Sequence, residues 1–460
     1  MIQESVLRDV LSAALATGGE FAEVYAETRR SASVHLEDRK VEEVTTGRDR
    51  GAGVRVVRGS STAYAYTNRL DRDALLDAAR VAAASLKDQP QAEVRNLTRA
   101  PERVLNPIAI DPDSVETKRK VDAVRELDDA AREVSGDVRQ VIAGYAEGSQ
   151  DILIANSEGL LVADKRVRTR LSCTVVASRD GVVQTGAWNP GASAGFELLD
   201  QHPPAAVGRK AAQQAIVMLD AIGAPAGEMP VVLAPGGGGV LFHEASGHGL
   251  EADLIQKEAS VYRDRTGEKI GSDLLSAVDD GSVAGLWGSF AFDDEGTPSQ
   301  RTVLFEKGVL TGAMTDLLRS RTMGLTRTGN GRRQSYAHLP IPRMTNSNIL
   351  PGPDDAAAIV RDVKKGLYAK SFAGGQVNTA TGDFVFGLSE AYLIENGELT
   401  KPVRGANLIG NGPDVIARID AVGSDYEVWW GVCGKEGQGV PVTCGMPTLR
   451  IARITVGGTG

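Results

Sequence analysis

Hydrophobic positions recur at helical spacing in the first residues of the chain and predict an amphipathic helix. Over residues 2–16, Ile2, Val6 and Val10 share one face with further leucines and alanines, and two glycines follow. Glycine commonly ends a helix, so the pattern has a natural stop there. Residues 71–87, 114–134 and 204–221 are predicted to be helices as well, with Asp71 as the N-cap of the first of these.

Short runs rich in alternating or β-branched residues lie between these helices. Before the second helix they read FAEVYAE, SVHLED, GAGVRVVRG and STAYAYTN, and after the third they read VRQVIAGYAEG, DILIANSEG and VRTRLSCTVVAS. Gly, Asn and Ser separate the runs, as is typical of strands joined by turns. The first half therefore predicts an α+β fold with one or more antiparallel sheets flanked by helices.

The pattern changes near residue 229, where an apolar run, MPVVLAP, leads into four consecutive glycines. The rest of the chain is rich in β-like runs such as RTVLFEKGVLTGAM, DFVFGLSEAYLIENGELT and TLRIARITV, and only residues 354–369 look clearly helical. We therefore predict an N-terminal α+β domain over residues 1–222 and a C-terminal β-rich domain over residues 223–460. A polar, proline-containing linker at residues 89–113 marks a sub-boundary within the first.

Composition and charge exclude several classes of protein. The 460 residues are 42% hydrophobic and 24% charged, as in an ordinary globular protein. A net charge of −9 argues against nucleic acid as a partner, because such binding depends on basic side chains. We expect a cytoplasmic protein that does not bind a membrane, since we find neither a signal peptide nor a run of about 18 apolar residues. Three scattered cysteines are too few for a disulfide framework.

The strongest chemical signal is the stretch HEASGH, which begins at His243 and ends at His248. It resembles the zinc-protease motif H-E-x-x-H with one residue inserted. In a regular helix, residues five apart lie about 140° apart around the axis and cannot share an ion. Gly247 and Gly249 make a distorted or π-bulged turn inexpensive, and such bulges often occur at functional sites. We therefore predict a metal site in which the turn is distorted so that the two histidines converge, rather than a chance grouping.

A catalytic site of this kind needs a third protein ligand and an open position. The nearby carboxylates of Glu251 and Asp253 are candidates, and so are three more distant residues, His338, Cys433 and Cys444. Cys433 ranks first because flanking glycines let the backbone approach and Lys435 favours the thiolate. His338 ranks second. From the residues alone, this choice stays open.

Other candidate sites are weaker. The glycine run 236–239 lacks both the G-x-G-x-x-G spacing and a following G-K-[ST], and Ser246 is not in a G-x-S-x-G context. The loop over residues 326–348 is rich in side chains that bind a carboxylate or polarise a carbonyl, unless it is simply a solvated basic loop. Its candidate substrate-binding or oxyanion residues are Arg333, Tyr336 and His338, with Arg332 and Arg343 beside them.

A series of blocks in the second half resembles the TldD/PmbA (TldE) family, and specifically its TldD-type catalytic subunits. The blocks are HEASGHGLEAD, VDDG, FDDEGTPSQ, TGNGRRQSYAHLPIPRMTN, GGQVNTATGDFVF, SEAYLIENG, GVCGKEGQGVPV and TVGGTG. The N-terminal half matches more loosely, in its order of elements. So many blocks in register make the resemblance specific.

The resemblance implies a metallopeptidase that trims modified peptides and degrades unfolded ones, bound in extended form. Carried over to this chain, the metal ligands are His243, His248 and Cys433, and the catalytic glutamate is Glu244. One divalent ion per chain is implied; zinc suits a thiolate with two imidazoles, and iron is the alternative. The partner is a TldE/PmbA-like subunit or a second copy. We expect an edge strand of the C-terminal region to pair with the peptide backbone, with little side-chain specificity.

Two other functions stay open. The first is a non-catalytic peptide-binding or scaffold subunit whose metal is structural or absent. The second is a cysteine hydrolase that uses Cys433 with His248, which would leave His243 and Glu244 without a purpose. Sensitivity to a chelator or to a thiol reagent separates them.

Overall fold

The computed structural model of the chain describes residues 2–86 and 92–458. Residue 87 of the second predicted helix, residues 89–91 of the predicted linker and the final residues 459–460 lie outside this range.

Eight strands from the first half form one sheet, in which β3, β2, β1, β5, β6 and β4 follow one another and β7 and β8 also pair with β6. Their pairings are antiparallel except that of β4 with β6, which confirms the predicted antiparallel sheet. The strands are β1 (Phe21–Glu37), β2 (Lys40–Arg58), β3 (Ser61–Thr67), β4 (Thr98–Arg99), β5 (Val138–Asn156), β6 (Leu160–Arg179), β7 (Val182–Trp188) and β8 (Gly191–Ala192).

Helices flank this sheet at both ends. Helices α1 and α2 pack against one end, and Asp71 caps α2 by accepting a hydrogen bond from Ala74 N, as predicted. Helices α3 and α5 pack against the other end, around a second apolar cluster. The helices are α1 (Glu4–Leu15), α2 (Arg72–Ala84), α3 (Thr117–Arg132), α4 (Leu198–Gln201) and α5 (Pro204–Leu219), with a 3₁₀ turn at Pro112–Ser114.

The second half is dominated by strands in three further sheets. In the largest, β10, β24, β20, β18 and β17 form a closed circuit of pairings, to which β19, β9 and β21 are added. A second sheet has the order β13, β12, β11, β16, β23, β22, and β14 pairs with β15. The strands are β9 (Ile222–Gly223), β10 (Gly227–Leu233), β11 (Ala277–Asp280), β12 (Arg301–Glu306), β13 (Val309–Leu310), β14 (Gly331–Arg332), β15 (Ile341–Pro342), β16 (Asn346–Ile349), β17 (Lys365–Val377), β18 (Asp383–Glu395), β19 (Glu398–Arg404), β20 (Asn407–Asn411), β21 (Ile419–Val422), β22 (Glu427–Lys435), β23 (Gln438–Met446) and β24 (Leu449–Gly457).

Helices in this half are short, and one prediction about them is wrong. They are α6 (Gly239–Phe242), α7 (Ala252–Gln256), α8 (Leu317–Met323), α9 (Ala356–Arg361) and α10 (Gly412–Ala417). The helix predicted over residues 354–369 ends at Arg361, and residues from Lys365 onward belong to β17. Leu367 there pairs with Val231 on one side and Leu393 on the other, so pairing between strands outweighs the local helical pattern.

The fold is thus α+β, with an antiparallel N-terminal sheet flanked by helices and a β-rich C-terminal region that carries the helix with the two motif histidines. Strands before and after the predicted linker belong to the same first sheet. The division of the chain at residue 222 stays a prediction. Within the described residues, no helix is long and apolar enough to cross a membrane.

Candidate metal centre

The two motif histidines lie on a helix that changes its winding between them. After β10 and the glycine turn, α6 leads into a π-helical turn at His243–Gly247 and then a 3₁₀ turn at His248–Leu250. The backbone N–H of His248 donates to the carbonyl of His243, five residues earlier, which is the π-helical pattern. The predicted distortion is therefore confirmed, and the extra residue between the histidines is absorbed by the wider turn.

Close packing explains why Gly247 stands in this turn. A Cβ atom at that position would lie 2.2 Å from the sulfur of Met344, a fully buried side chain. A larger residue would push the turn away from β16 and its flanking segment. Glycine thus lets the wide turn sit against the core.

The turn brings both histidines to one sulfur. Nε2 of His243 and Nε2 of His248 each lie 3.2 Å from Sγ of Cys433, which is 185 residues downstream of the second histidine in β22. All three side chains are buried, and one ligand atom from each lies within 4.8 Å of the others. In the described ranges, this is the group of His, Cys, Asp or Glu side chains that meets this requirement.

The second nitrogen of His248 is held by a buried carboxylate. Nδ1 of His248 lies 2.9 Å from Oε2 of Glu251, and Lys435 Nζ donates to the same oxygen over 2.9 Å. Lys435 also donates to Asp253 and to the carbonyl of Pro342. Glu251 and Asp253, which the sequence offered as further candidate ligands, therefore contact Lys435 instead of completing the His–His–Cys group.

The electrostatics of the group favour a thiolate. Burial alone raises the pKa of Cys433, but His243 and His248 outweigh it, so the pKa of this thiol lies well below its ordinary value. Burial likewise raises the pKa of Glu251, while His248 and Lys435 lower it to about 2. The carboxylate is therefore ionised and holds a proton on the outer nitrogen of His248, which leaves Nε2 facing the sulfur.

Glu244 differs from its neighbours in this turn because its side chain is partly open. Its carboxylate side chain is 27% exposed, whereas His243, Ala245 and Ser246 are buried. Oε2 of Glu244 lies 3.9 Å from Nε2 of His248. The carboxylate thus lies beside the buried His–His–Cys group and is itself partly exposed to solvent.

Cys444 and His338, the competing ligand candidates, are placed differently. Burial lowers the pKa of His243, but Cys444 and Cys433 raise it well above its ordinary value, so both sulfurs lie near this histidine. The group that also includes His248 contains Cys433 and not Cys444. Nδ1 of His338 bonds to the hydroxyl of Ser335 over 2.8 Å.

The basic loop connects the site to the first sheet. Arg333 is fully buried and donates to Glu23 in β1, and the backbone N–H of Tyr336 donates to Glu27. These contacts hold Arg333 in an ion pair between the two halves of the protein. Substrate contacts of Arg333, Tyr336 and His338 stay a prediction.

Two supporting residues were not identified as such from the sequence. Glu251 was considered only as a metal ligand, although its spacing three residues after His248 places both side chains on one face of a helical turn. Arg343 is fully buried and donates to the backbone carbonyl of Cys433. No local signal indicates that contact, because the two residues are 90 positions apart.

Known protein families match nearly the whole chain. Profiles described as PmbA/TldA metallopeptidase domain 1, central domain and C-terminal domain match residues 22–86, 110–219 and 226–458. The "Metalloprotease TldD homolog" of Haemophilus influenzae is 42% identical, over 96% of this chain and 93% of its own length. A "Metalloprotease" of Methanothermobacter thermautotrophicus is 34% identical, over 96% of each.

Solved structures share the fold. TldE from Thermococcus kodakarensis superimposes with a TM-score of 0.79 at 17% identity, covering 98% of this chain and all of the other. A protein of Bacteroides thetaiotaomicron gives a TM-score of 0.80 at 21% identity, covering both chains in full. Identities this low establish the architecture alone, whereas the sequence profiles and relatives establish descent. The chain belongs to the TldD/PmbA family of metallopeptidases.

Proposed function

We propose that this chain is a TldD-type catalytic subunit that hydrolyses peptide bonds in unfolded or extended peptides. One observation supports the proposal: two imidazole nitrogens and one sulfur converge in a buried group, and the partly exposed carboxylate of Glu244 lies beside it. A scaffold subunit would have no use for a partly exposed carboxylate beside such a group. Trimming of modified peptides and removal of unfolded ones are the uses that the family implies.

The donor set fits a single divalent ion. In a tetrahedral zinc site, a sulfur and a nitrogen ligand lie about 3.5 Å apart, and both nitrogen–sulfur distances here are 3.2 Å. His243, His248 and Cys433 would hold the ion, and three protein ligands leave one position for water or substrate. When bound, the ion supplies a Lewis acid that polarises the scissile carbonyl and lowers the pKa of water. Zinc suits this set best, and iron is the alternative.

Glu244 moves the proton in this mechanism. Its carboxylate accepts a proton from the attacking water and then donates it to the amine of the leaving peptide. Glu251 and Lys435 act through His248: they fix which nitrogen carries the proton and so keep the other one free as a ligand.

The edge strand β22 suits an extended substrate. It is the last strand of its sheet in the described part of the chain, and it carries Cys433 near its end. Val428 and Val432 on this strand are 41% and 65% exposed. A peptide that pairs with β22 through its backbone would pass the His–His–Cys group whatever its side chains, which gives broad recognition of unfolded sequences.

The assembly that we propose pairs this chain with a TldE/PmbA-like subunit, with a homodimer as the alternative. The fold shared with a TldE supports a pseudo-symmetric partner. Co-expression of this chain with such a subunit from its own genome, followed by affinity purification of one, should recover both in equal amounts. Recovery of this chain only as a dimer of itself would support the homodimer.

Glu244→Gln tests the catalytic assignment. The amide keeps the size of the side chain but cannot accept the proton, so the variant should bind one equivalent of metal and lose cleavage of unfolded casein by a factor of about 100 or more. Cleavage at the wild-type rate would contradict the role of Glu244. Full metal binding by a wild-type protein that cuts nothing would instead support the scaffold function.

A cysteine hydrolase must be tested as well, because Cys433, His248 and Glu251 lie in a chain of contacts that resembles a catalytic triad. A chelator should abolish activity and added zinc should restore it. Full activity in a chelated, metal-free protein would favour the cysteine mechanism.

A further inference from the structure

A cavity rich in arginine lies against the strand that carries Cys433. Its volume is about 660 Å³, and eight arginines but only three acidic residues line it. Val432, Gly439 and Pro441 contribute the wall formed by β22 and β23. This arginine cavity therefore begins one residue away from the sulfur of the metal group.

The arginine cavity lies on the opposite face of β22 from Cys433. Successive side chains of a strand point to opposite faces, so Val432 and Trp430 share one face and Cys433 occupies the other. Trp430 faces the first sheet, where its ring lies 5.7 Å from the guanidinium of Arg170 and 4.5 Å from the ring of Trp287. In a peptide added beside β22, the side chains would alternate in the same way, so that every second one would point to the cavity side of the strand.

Several arginines of the cavity lack a counterion. Among the described residues, no carboxylate forms an ion pair with Arg168, Arg170 or Arg332, whereas Arg166 is paired with Asp164 and Asp294. Arg168 uses one nitrogen to bond the carbonyl of Trp287 over 2.7 Å, and its buried Nη2 has no hydrogen-bond partner in the part of the chain that the structure describes.

Arg332 is likewise buried without a paired carboxylate among the described residues. It is only 2% exposed, and both of its terminal nitrogens donate to backbone carbonyls, one of them that of Pro441 over 2.7 Å. Within residues 2–86 and 92–458, the Nε of Arg332 has no hydrogen-bond partner. A buried charge held by carbonyl groups and aromatic rings, without a paired carboxylate, is costly, so these side chains form a built site for an anion.

The electrostatics agree with this picture. Burial and the charges of Arg166 and Arg332 lower the pKa of Arg168 to about 9. The pKa of Arg332 is lowered to about 10, again chiefly by burial; Asp294 opposes this shift, while Arg166 and Arg343 lower the pKa further. The positive charges in the cavity repel one another, and an added anion would relieve that repulsion.

From this geometry we infer that the arginine cavity binds a carboxylate of the peptide substrate close to the scissile bond. The inference rests on the proposed peptidase function and adds a preference to it. The carboxylate belongs either to an aspartate or glutamate side chain or to the C-terminus of the peptide, since guanidinium groups bind both in the same way. Backbone pairing along β22 still accepts any sequence at the other positions.

The test uses matched peptides cut by the metal-loaded protein, together with its partner subunit if one is needed. In a set of unfolded peptides, one glutamate is moved along an otherwise neutral sequence and compared with glutamine at the same position. A parallel set compares free with amidated C-termini. We expect kcat/KM to be about 10-fold or more higher for the glutamate or free-acid member at one position near the cut, as for hydrogen bonds to a charged group. A response to glutamate assigns a side chain, and a response to the free terminus assigns the C-terminal carboxylate.

Variants connect the preference to the cavity. In Arg168→Gln, and separately in the more exposed Arg170→Gln, the ratio of kcat/KM between charged and neutral peptides should fall toward one. Arg30→Gln is the matched control, because Arg30 lines the same cavity but is paired with Asp113 and Asp151, and the ratio should stay at its wild-type value.

Two results would overturn the inference: equal kcat/KM for charged and neutral peptides, or a preference that survives in both Arg168→Gln and Arg170→Gln. With either result, the protein would still cut peptides and cleavage would still depend on Glu244, so the proposed peptidase function would stand. Failure of the proposed function would look different, since no peptide of either set would then be cut.

Discussion

Replacing Glu251 by glutamine tests how strongly the buried carboxylate supports the metal site. Glu251 is fully buried, accepts from Lys435 and faces Nδ1 of His248. Its pKa, lowered to about 2, makes it an anion at every working pH. Glutamine keeps the shape but removes the charge, so the proton on Nδ1 of His248 faces a neutral amide, a weaker acceptor than the carboxylate.

The expected loss of zinc affinity can be taken from comparable contacts to metal-ligating histidines in other proteins. Loss of the partner of a metal-ligating histidine lowers metal affinity or activity by a factor of about 10–100. In free energy this is about 1.4–2.8 kcal/mol, at 1.4 kcal/mol for each factor of ten. Folding should be weakened separately, because Lys435 loses one of its two carboxylate partners and stays buried beside Asp253; we expect the metal-free chain to lose about 1–3 kcal/mol of unfolding free energy.

Two assays separate these effects. Competition with a chromophoric chelator measures zinc affinity, and urea denaturation of the metal-free protein measures the free energy of unfolding. Glu436→Gln is the control, since Glu436 forms an exposed ion pair with Lys257, and the substitution should change stability by no more than about 1 kcal/mol. Wild-type zinc affinity in Glu251→Gln, whatever its stability, would refute the reasoning.

Three further predictions concern the turn and its ion. Gly247→Ala should destabilise the protein by about 1–3 kcal/mol in urea denaturation, because the new methyl group meets the Met344 sulfur. Gly136→Ala should leave stability unchanged, because its added carbon meets no atom of the described residues within 4 Å. Cys433→Ala should abolish stoichiometric zinc in metal analysis, whereas Cys444→Ala should retain it; the reverse would exchange their roles. Removing the metal should lower the thermal midpoint, and zinc at 100 times its Kd should restore about 2.7 kcal/mol. An unchanged midpoint would speak against a bound ion.

Local pattern predicted the helices of the first half well but not the length of its strands. The four predicted helices correspond to α1, α2, α3 and α5 and begin and end within a few residues of their predicted positions, because their apolar faces are encoded at a short period. The short helix α4 was not predicted. FAEVYAE and SVHLED, by contrast, were predicted as separate strands and form one, β1, which pairs along its length with β2 and β5. The polar residues between the two runs predict a turn between two strands. Only the pairing with β2 and β5 shows that the strand continues through them.

In the second half, strand pairing overrides a local helical pattern. Residues 365–369 look like the end of a helix, yet they lie between β10 and β18, where backbone hydrogen bonds on both sides outweigh helix propensity. Predictions made from a window of ten residues cannot include partners that are more than a hundred positions away. Where those partners decide the structure, the local prediction fails.

The sequence by itself determined the α+β class, the glycine turn that leads into the motif, and the need for a distorted turn between His243 and His248. Each of these depends on residues that are close in the chain, so composition and spacing were enough. Only the tertiary structure brought Cys433 to both histidines and placed Lys435 on Glu251. It also assembled the arginine cavity from strands of both halves. Contacts of this kind depend on how strands that are distant in sequence pack together. That packing is stabilised by many residues of the core at once, so no short stretch of sequence predicts it.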